Sequence, residues 1–375
     1  MRISTSEFLL GSLNTMLAQE TTVNQLNEEI SSGQSLTDPT TDPAGAGLVL
    51  NLSDEINHLT FDNNNADAAT QSIQGGISVL QQVTTVLNQV RQTAEQAANG
   101  TTTAADRASF VNVVQGALQE LVQLANTQGA DGSYLFSGSK ATTTPFSQLS
   151  NGQVIYDGDG GSNQVEIAPN LDVPVSLSGQ SIFMDIPNGN GSFSVAASGS
   201  NTGGAVAIPA SVTSASQVAA ERLAGSQYEV SFTGSGSSLT YSVSSGTGAP
   251  GSASFAASSG VVASGAFTAG SDVQFAGMDV QFQGAPAAGD VFTIAPSQNT
   301  SLFATVQTLV SALQIPQTGP GQSALAQQQI QSVLGNLDQA QTSILLAQAS
   351  FGANLSEGQT VQGQNTTLST NAKTQ

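Results

Sequence analysis

The single histidine of the chain, His58, is the residue type best suited to proton transfer near neutral pH. It stands in the stretch NLSDEINHLTFDN, residues 51–63, close to Asp54 and Glu55. General-base catalysis would also require a nucleophile and a group that orients the imidazole. A zinc motif with two histidines four residues apart is excluded, because the sequence holds no second histidine. A surface or interface histidine is therefore the favoured interpretation.

A second candidate is the acidic, glycine-rich stretch YDGDGGSNQVE, residues 156–166. A helix–loop–helix calcium site places carboxylates at alternate positions and a glutamate at the twelfth. Counted from Asp157, the third alternate position is Gly161 and the twelfth is Ala168. Strand-like runs flank the stretch, so the composition favours a β turn rather than a metal loop.

The central region also contains acidic residues of the type that form the paired carboxylates of a glycosidase. They are Asp172, Asp185, Glu229, Asp272 and Asp279. Sequence spacing does not establish that any two of them face each other. We therefore expect no catalytic residue, no cofactor site and no metal site, and we do not expect an enzyme.

The charge balance excludes one class of partner. The chain of 375 residues has 26 acidic and 6 basic residues, a net charge of -20, and Arg222 is the only basic residue between Lys140 and Lys373. Nucleic-acid binding needs clusters of Lys and Arg, so it is not expected. No run approaches the roughly 18 apolar residues of a membrane helix, so no membrane insertion is expected either.

Export signals and cysteine usage give less information. The first twenty residues do not have the apolar core or the cleavage site of a secretory signal, so no cleavable signal peptide is expected. The absence of cysteine fits either a cytoplasmic protein or one that is exported without oxidative folding.

Helical periodicity marks the elements that must position these residues. In the first 130 residues, aliphatic side chains recur at intervals of three and four, and this rhythm returns from about residue 298 to the end. The stripes include Leu9, Leu13, Met16, Val23 and Ile30, then Ile77, Leu80 and Leu87, and finally Ile344 and Phe351. Because stripes of matching rhythm cannot each be buried alone, we expect the helices after residue 73 to pack into one antiparallel bundle. These ten residues are the predicted bundle and subunit interface.

Two local signals divide the helices. The stretch ISSGQSLTDPTTDPAGAG, residues 30–47, should end one helix near Ile30 to Ser32 and begin another near Pro43. Gly33 can adopt the left-handed conformation, Pro39 and Pro43 prevent a continuous helix, and Asp42 can cap the next one, so this joint is a predicted hinge. Further along, Thr103 and Asp106 resemble a capping box that begins a third helix.

The central region, residues 131–296, has a different pattern. Short alternating runs bounded by Gly, Asn and Asp predict antiparallel strands, and the runs are QVEIA, VPVSL, SIFMDI, QYEVSF, LTYSV, DVQF, MDVQF and DVFTI. Strand signals are weak over 187–220 and 243–271, where Ala, Ser and Gly dilute the pattern.

These patterns predict an α+β fold, in which a long-helix antiparallel bundle or coiled-coil rod from the N- and C-terminal regions carries an inserted, mainly antiparallel β domain. The predicted domains are an N-terminal helix and joint (1–38), a helical rod with a β-hairpin (39–160, completed by 297–375) and the β insert (161–296). A stretch such as 44–98 would form a helix of about 80 Å.

Several stretches, in this order, resemble the flagellin family, and they are MRIST, the joint sequence, LNQVRQTAEQAANGT (87–101), YLFSGSKATTTPF (134–146) and GAPAAGDVFTIAPS (284–297). The last two resemble the subunits that join hook to filament rather than those of the filament itself. The family usually has two adjacent aspartates before the joint proline, whereas this chain has Thr41-Asp42-Pro43. Its members also continue beyond the equivalent of NTTLSTNAKTQ into one more helix, which pairs with the N-terminal helix, so the resemblance implies that this sequence stops short of it.

The resemblance implies a structural component of the bacterial flagellum, exported through the flagellar channel without a cleavable signal and located outside the cell. The implied partners are a neighbouring hook-associated protein, filament flagellin, an export chaperone with the export apparatus, and further copies in a ring-like layer. In the free subunit the N-terminal helix is expected to be mobile. Two alternatives stay open, namely filament flagellin, and a surface adhesin with a β binding module on a helical stalk.

Overall fold

The computed structural model describes residues 5–32, 43–100, 102–247 and 256–374. These residues form two compact units. The first unit runs up to Asn64 and takes in the chain from Gly363 onwards, and the second is Asn65–Gln362. In neither unit is a described helix long and apolar enough to cross a bilayer.

Six α-helices are described, and their bounds are α1 Thr5–Ser32, α2 Pro43–Ala97, α3 Ala104–Ala125, α4 Ala215–Ala224, α5 Leu302–Gln314 and α6 Pro320–Thr374. The predicted end of the first helix and the predicted start of the second at Pro43 are both confirmed. The helix α4 was not predicted, because it lies in the segment where small residues hide any periodicity.

The predicted capping box at the start of α3 is confirmed. The Asp106 amide donates to the Thr103 hydroxyl at 3.2 Å, and the Thr103 amide donates to the Asp106 carboxylate at 3.0 Å. The backbone hydrogen bond from Thr103 holds the pKa of Asp106 below its usual value. Two of the unpaired amides at the helix start are thereby satisfied.

Fourteen short strands are described, with bounds β1 Phe146–Gln148, β2 Val154–Tyr156, β3 Gln164–Ala168, β4 Leu171–Pro174, β5 Ile186–Pro187, β6 Phe193–Ala197, β7 Val206–Val212, β8 Gln227–Thr233, β9 Thr240–Thr247, β10 Ala256–Ala266, β11 Asp272–Phe275, β12 Met278–Gln283, β13 Val291–Pro296 and β14 Asn299–Thr300. All described pairings are antiparallel. The two larger sheets have the orders β10-β9-β8-β13-β6 and β11-β12-β7.

The strand predicted for SIFMDI is wrong over most of its length. Residues Gln180–Met184 form a π-helical turn, and only Ile186 enters a strand. Ile182 and Phe183 are consecutive and both buried, which a strand with one buried face does not allow. The ring of Phe183 lies 5.4 Å from that of Phe136 and 5.5 Å from that of Phe146, so aromatic packing overrides the local alternation.

Two hydrophobic cores lie within the second unit. The first joins α2, α3, α5 and α6 and also takes in Ile167 and Val173 from β3 and β4. The second contains only residues between Phe193 and Ile294 and is built around Phe232, Phe282 and Phe292. We call Phe193–Pro296 the β module. The predicted α+β class, with a helical bundle and an inserted antiparallel β region, is confirmed.

Candidate functional site

The candidates for proton transfer and cation binding do not form a site. His58 lies exposed on α2, as do Asp54 and Glu55. Among the described residues, no three His, Cys, Asp or Glu side chains come close enough to hold a metal ion. Of the five carboxylates considered for glycosidase chemistry, Glu229 lies on β8 and Asp172 on β4, whereas Asp272 and Asp279 lie on the paired strands β11 and β12.

The acidic loop after β2 forms hydrogen bonds within the protein. The Asp159 carboxylate accepts from the Ser139 amide at 2.7 Å and from the Gly161 amide at 3.0 Å, and it also accepts from the Ser139 hydroxyl. The ammonium of Lys140 donates to the carbonyls of Asp157 and Gly158 at 3.0 and 3.2 Å. The hydroxyl of Ser139 is the main cause that lowers the pKa of Asp159. The Asp159 carboxylate and the carbonyls of Asp157 and Gly158 therefore stabilise a turn, which is the structure that the composition of this stretch favours.

Five of the predicted interface residues lie in or against the core of the bundle. Leu80, Leu87, Ile344 and Phe351 are fully buried, and Ile77 packs partly buried against them. Their contacts are within the chain, so these residues build the scaffold.

Cross-helix pairs show that α2 and α6 run antiparallel. Gln341 donates to the Asn88 side chain at 2.9 Å, Arg91 forms an ion pair with Asp338, and Gln362 donates to Asp67. Residue numbers on α6 fall as those on α2 rise. The bundle thus holds the two long helices side by side in the second unit.

The other five predicted interface residues are exposed along α1. Between 55% and 79% of the surface is exposed at each of Leu9, Leu13, Met16, Val23 and Ile30. Such a row of large apolar side chains on one helix is unusual for a monomer surface and typical of a contact region.

The predicted hinge is only partly within the described residues. Gly33, Pro39 and Asp42 lie outside them, whereas Pro43 is the first residue of α2. Pro43 occupies the first helical position, where its missing N–H costs no hydrogen bond.

A row of polar side chains on α6 joins the helical bundle to the β module, and we call Gln328, Ser332 and Asn336 the polar seam. The buried amide of Gln328 accepts from the Ala207 amide at 2.6 Å and donates to the Ala207 carbonyl at 2.7 Å. Asn336 accepts from the Gly189 amide at 2.8 Å, immediately before the module. Sequence reasoning missed this row, because glutamine and asparagine are common on exposed helix faces and nothing in one sequence distinguishes a buried one.

Comparison with known proteins gives the family. The family described as the bacterial flagellin N-terminal helical region matches residues 3–141. Flagellar hook-associated protein 3 of Salmonella typhimurium is 30% identical over 186 residues, which are 50% of this chain and 58% of that protein. The solved FlgL of Xanthomonas campestris is 31% identical with a TM-score of 0.71, over 83% of this chain and 98% of that one. The chain belongs to the flagellin family.

Within the flagellin family, the likeness extends through the β module. The flagellar junction protein FlgL of Legionella pneumophila is 29% identical to this chain, with a TM-score of 0.76, over 89% of this chain and 99% of that structure. The curated relative above is matched over 58% of its length.

One further feature of this flagellin-family chain escaped sequence reasoning. Leu345 and Leu346 are 60% and 67% exposed on α6, although they follow the fully buried Ile344. A signal was available, because the apolar stripe of α6 passes through Ile344 and leaves the next two leucines on other faces of the helix.

Proposed function

We propose that this chain is a structural subunit of the bacterial flagellum that joins hook to filament and allows flagellin to polymerise beyond it. The observation that carries the proposal is the likeness to the Legionella pneumophila junction protein, which extends over both the helical bundle and the β module. A likeness confined to the helical ends would fit a filament subunit equally well, because residues 3–141 match a family region that flagellins share.

The distribution of exposed and buried surface supports an assembly role. The exposed apolar row of α1 supplies contacts to neighbouring subunits, while the helical bundle of the second unit has a buried core of its own. Residues 1–38 would form the axial layer of the assembly, and the β module would face outward. The copies would form a ring-like layer.

The proposed partners are other flagellar proteins. One face of the layer would meet a neighbouring hook-associated protein and the other would meet filament flagellin. Before assembly, the chain would be bound by an export chaperone and would pass through the flagellar export apparatus without a cleavable signal, to act outside the cell. This role involves no catalytic step. In support, the Asp159 carboxylate accepts hydrogen bonds from within the protein, and His58 lies exposed on α2.

Deletion of the gene tests the proposal. We expect a strain without it to release flagellin into the medium while its hooks remain bare, and we expect a plasmid copy to restore attached filaments. A His58→Ala copy should restore them as well as the unchanged chain does. Normal filaments on the deletion strain would overturn the proposal.

A further inference from the structure

A cleft of about 620 Å³ lies on the second unit, where three segments that are distant in sequence meet. The segments are the turn between β1 and β2, the π-helical turn Gln180–Met184 with the following Asp185, and the start of α5. This volume is in the range of sites that hold a small molecule. None of the ten predicted interface residues lines the cleft, so the assembly role does not account for it.

The π-helical turn brings two polar side chains together at the cleft. The Asp185 amide donates to the Gln180 carbonyl at 2.9 Å, which closes the wide turn. The side-chain amide of Gln180 donates to Oδ1 of Asp185, also at 2.9 Å. Oδ2 of the exposed Asp185 receives no hydrogen bond from the described residues, so it is available to a ligand. Single π-helical turns are rare, and they are frequent at functional sites.

Two further amides line the cleft from other elements. Gln153 immediately precedes β2, and Gln307 lies on α5. Their side-chain amides form no hydrogen bond with any residue that the structure describes. The lining also includes the buried apolar side chains of Val154 and Phe303. The cleft therefore combines unpaired amide donors and acceptors with an apolar surface.

The lining excludes most classes of ligand. Asp185 is the one charged residue among the described residues of the cleft, so an anion would be repelled. A single carboxylate does not supply the set of ligands that a metal ion needs. A wholly apolar ligand would leave the amides of Gln153 and Gln307 without water or a partner. The ligand that fits is neutral, rich in hydroxyl groups and apolar on one face.

We propose that this cleft binds a neutral sugar in its pyranose form, with Asp185, Gln153 and Gln307 as its polar contacts. Neighbouring hydroxyls of a sugar can donate to the two oxygens of one carboxylate, and such charge-assisted hydrogen bonds are strong. Side-chain amides both donate and accept, which matches hydroxyl groups that do the same. In an extended peptide, adjacent N–H groups point to opposite sides, so a peptide would present only one donor to Asp185. This binding goes beyond the junction role and does not depend on it.

Saturation-transfer NMR on the purified full-length chain tests the binding. The probes are the methyl glycosides of glucose, galactose, mannose and N-acetylglucosamine, each added alone in large excess. We expect at least one of them to receive saturation from the protein. The uronate of the sugar that binds should bind less well, because its carboxylate is repelled by Asp185. The inference would be overturned by an absence of transfer to all four glycosides, by a uronate that binds equally well, or by transfer only to a neutral alanine tripeptide.

Substitutions locate the bound sugar. We expect Gln307→Met and Gln153→Met, which keep a side chain of similar length but remove the amide, each to weaken binding about two- to tenfold, because each removes one hydrogen bond. Gln81→Met is the matched control, because Gln81 is an exposed glutamine on α2 of the same unit that does not line the cleft, and binding should be unchanged. A melting curve for each variant checks that it is folded. Binding that neither cleft substitution weakens would contradict the inference. The junction role would stand in that case, because it is tested by the attachment of filaments.

Discussion

At the scale of single residues, Gly75 and Gly76 are neighbours in the middle of α2 that differ in what their missing side chains allow. A Cβ on Gly76 would lie 2.6 Å from Cε2 of Phe351, whereas a Cβ on Gly75 would meet nothing within 4 Å. The ring of Phe351 is fully buried and cannot move aside. Gly76 is therefore required by packing, and Gly75 is not.

Alanine substitutions at these two positions should have opposite effects. We expect Gly76→Ala to lower the free energy of unfolding by about 1–3 kcal/mol, because it overpacks the core. Gly75→Ala should raise it by about 0.5–1 kcal/mol, because alanine loses less conformational entropy in a helix. Urea titrations of both variants give the two values. If both substitutions lowered the free energy of unfolding by a similar amount, contact with Phe351 would not be the cause of the loss at Gly76.

The carboxylate of Asp159 makes the stability of the turn depend on pH. Its pKa is held below the ordinary value in the folded chain, chiefly by the Ser139 hydroxyl. A lowered folded-state pKa adds stability above the unfolded value, which is about 3.9, and that stability is lost as the pH falls through the folded value. We expect Asp159→Asn to melt at a lower temperature than the unchanged chain at pH 7. The difference should shrink as the pH falls below about 4, and a difference that stays constant down to pH 2 would contradict this account.

At the scale of elements, the polar seam determines how α6 meets the β module. β7 is an edge strand of its sheet, and the amide of Gln328 satisfies both backbone groups of Ala207. Gln328 also lies within 3.5 Å of the carbonyl of Val195 on β6, the edge of the other large sheet. A helix side chain thus takes the place of a neighbouring strand, which protects edges that would otherwise pair with other chains.

Removal of the Gln328 amide should be costly. We expect Gln328→Ala to destabilise the chain by about 2 kcal/mol or more, because it leaves a buried donor and a buried acceptor on Ala207 unpaired. Gln328→Glu is the matched control of similar shape. Its carboxylate can still accept from the Ala207 amide, but it places a negative charge against the Ala207 carbonyl. We therefore expect it to be at least as destabilising as Gln328→Ala at neutral pH. Unfolding titrations and hydrogen exchange at the Ala207 amide measure both effects. Unchanged exchange in Gln328→Ala would show that the hydrogen bonds do not protect this edge.

The helix α1 should be the least protected helix of the free subunit. Helix stability in proteins comes mostly from packing of an apolar face, and the apolar side chains of α1 are exposed. We expect the amides of α1 to exchange within the shortest labelling times in the monomer, and those between Ile330 and Phe351 to exchange far more slowly. Slow exchange along α1 in the monomer would show that it is stable without partners.

The helices were predictable because their apolar residues are large and regularly spaced. Ile330, Val333, Leu337 and Ile344 follow the period of a helix, and all four are buried. Thr103 and Asp106 identified the start of α3 because a capping box is a local interaction. Where the deciding contact is distant in sequence, prediction failed. Phe183 sits in a helical turn because of rings from other elements, and Gln328 is buried because an edge strand meets it.

The candidate site was predictable only in part, for a related reason. Periodicity identifies apolar faces but does not tell which of them the chain covers by itself. Leu13 and Leu80 belong to similar stripes, yet the first is 55% exposed and the second is buried. The predicted joint and domain boundaries stay predictions, while the second core is now known to include residues from Phe193 to Ile294.

At the scale of the whole molecule, the β module is an insertion whose two ends meet. The Asn188 amide donates to the Gln298 carbonyl at 2.9 Å, and the Gln298 amide donates to the Asn188 side chain at the same distance. Between these residues lies a core of its own, in which the ring of Phe232 contacts those of Phe267, Phe282 and Phe292. The helical bundle therefore loses little of its own core if the module is removed.

Excision of the module should leave a folded helical protein. We expect replacement of residues 190–296 by a short Gly-Ser link to preserve cooperative thermal unfolding, because Asn188 and Gln298 already lie side by side and the seam residues Gln328 and Asn336 are polar enough to face water. The first turns of α6 should fray, since Gly321 packs against Asn201 of the module. Circular dichroism should show the helical signal retained and the melting temperature lowered.

The Gln328→Ala substitution in the excised protein is the matched control. It should not lower the free energy of unfolding further, because the backbone groups that Gln328 contacts in the β module are absent. Loss of cooperative unfolding on excision would show that the bundle depends on the module for its fold.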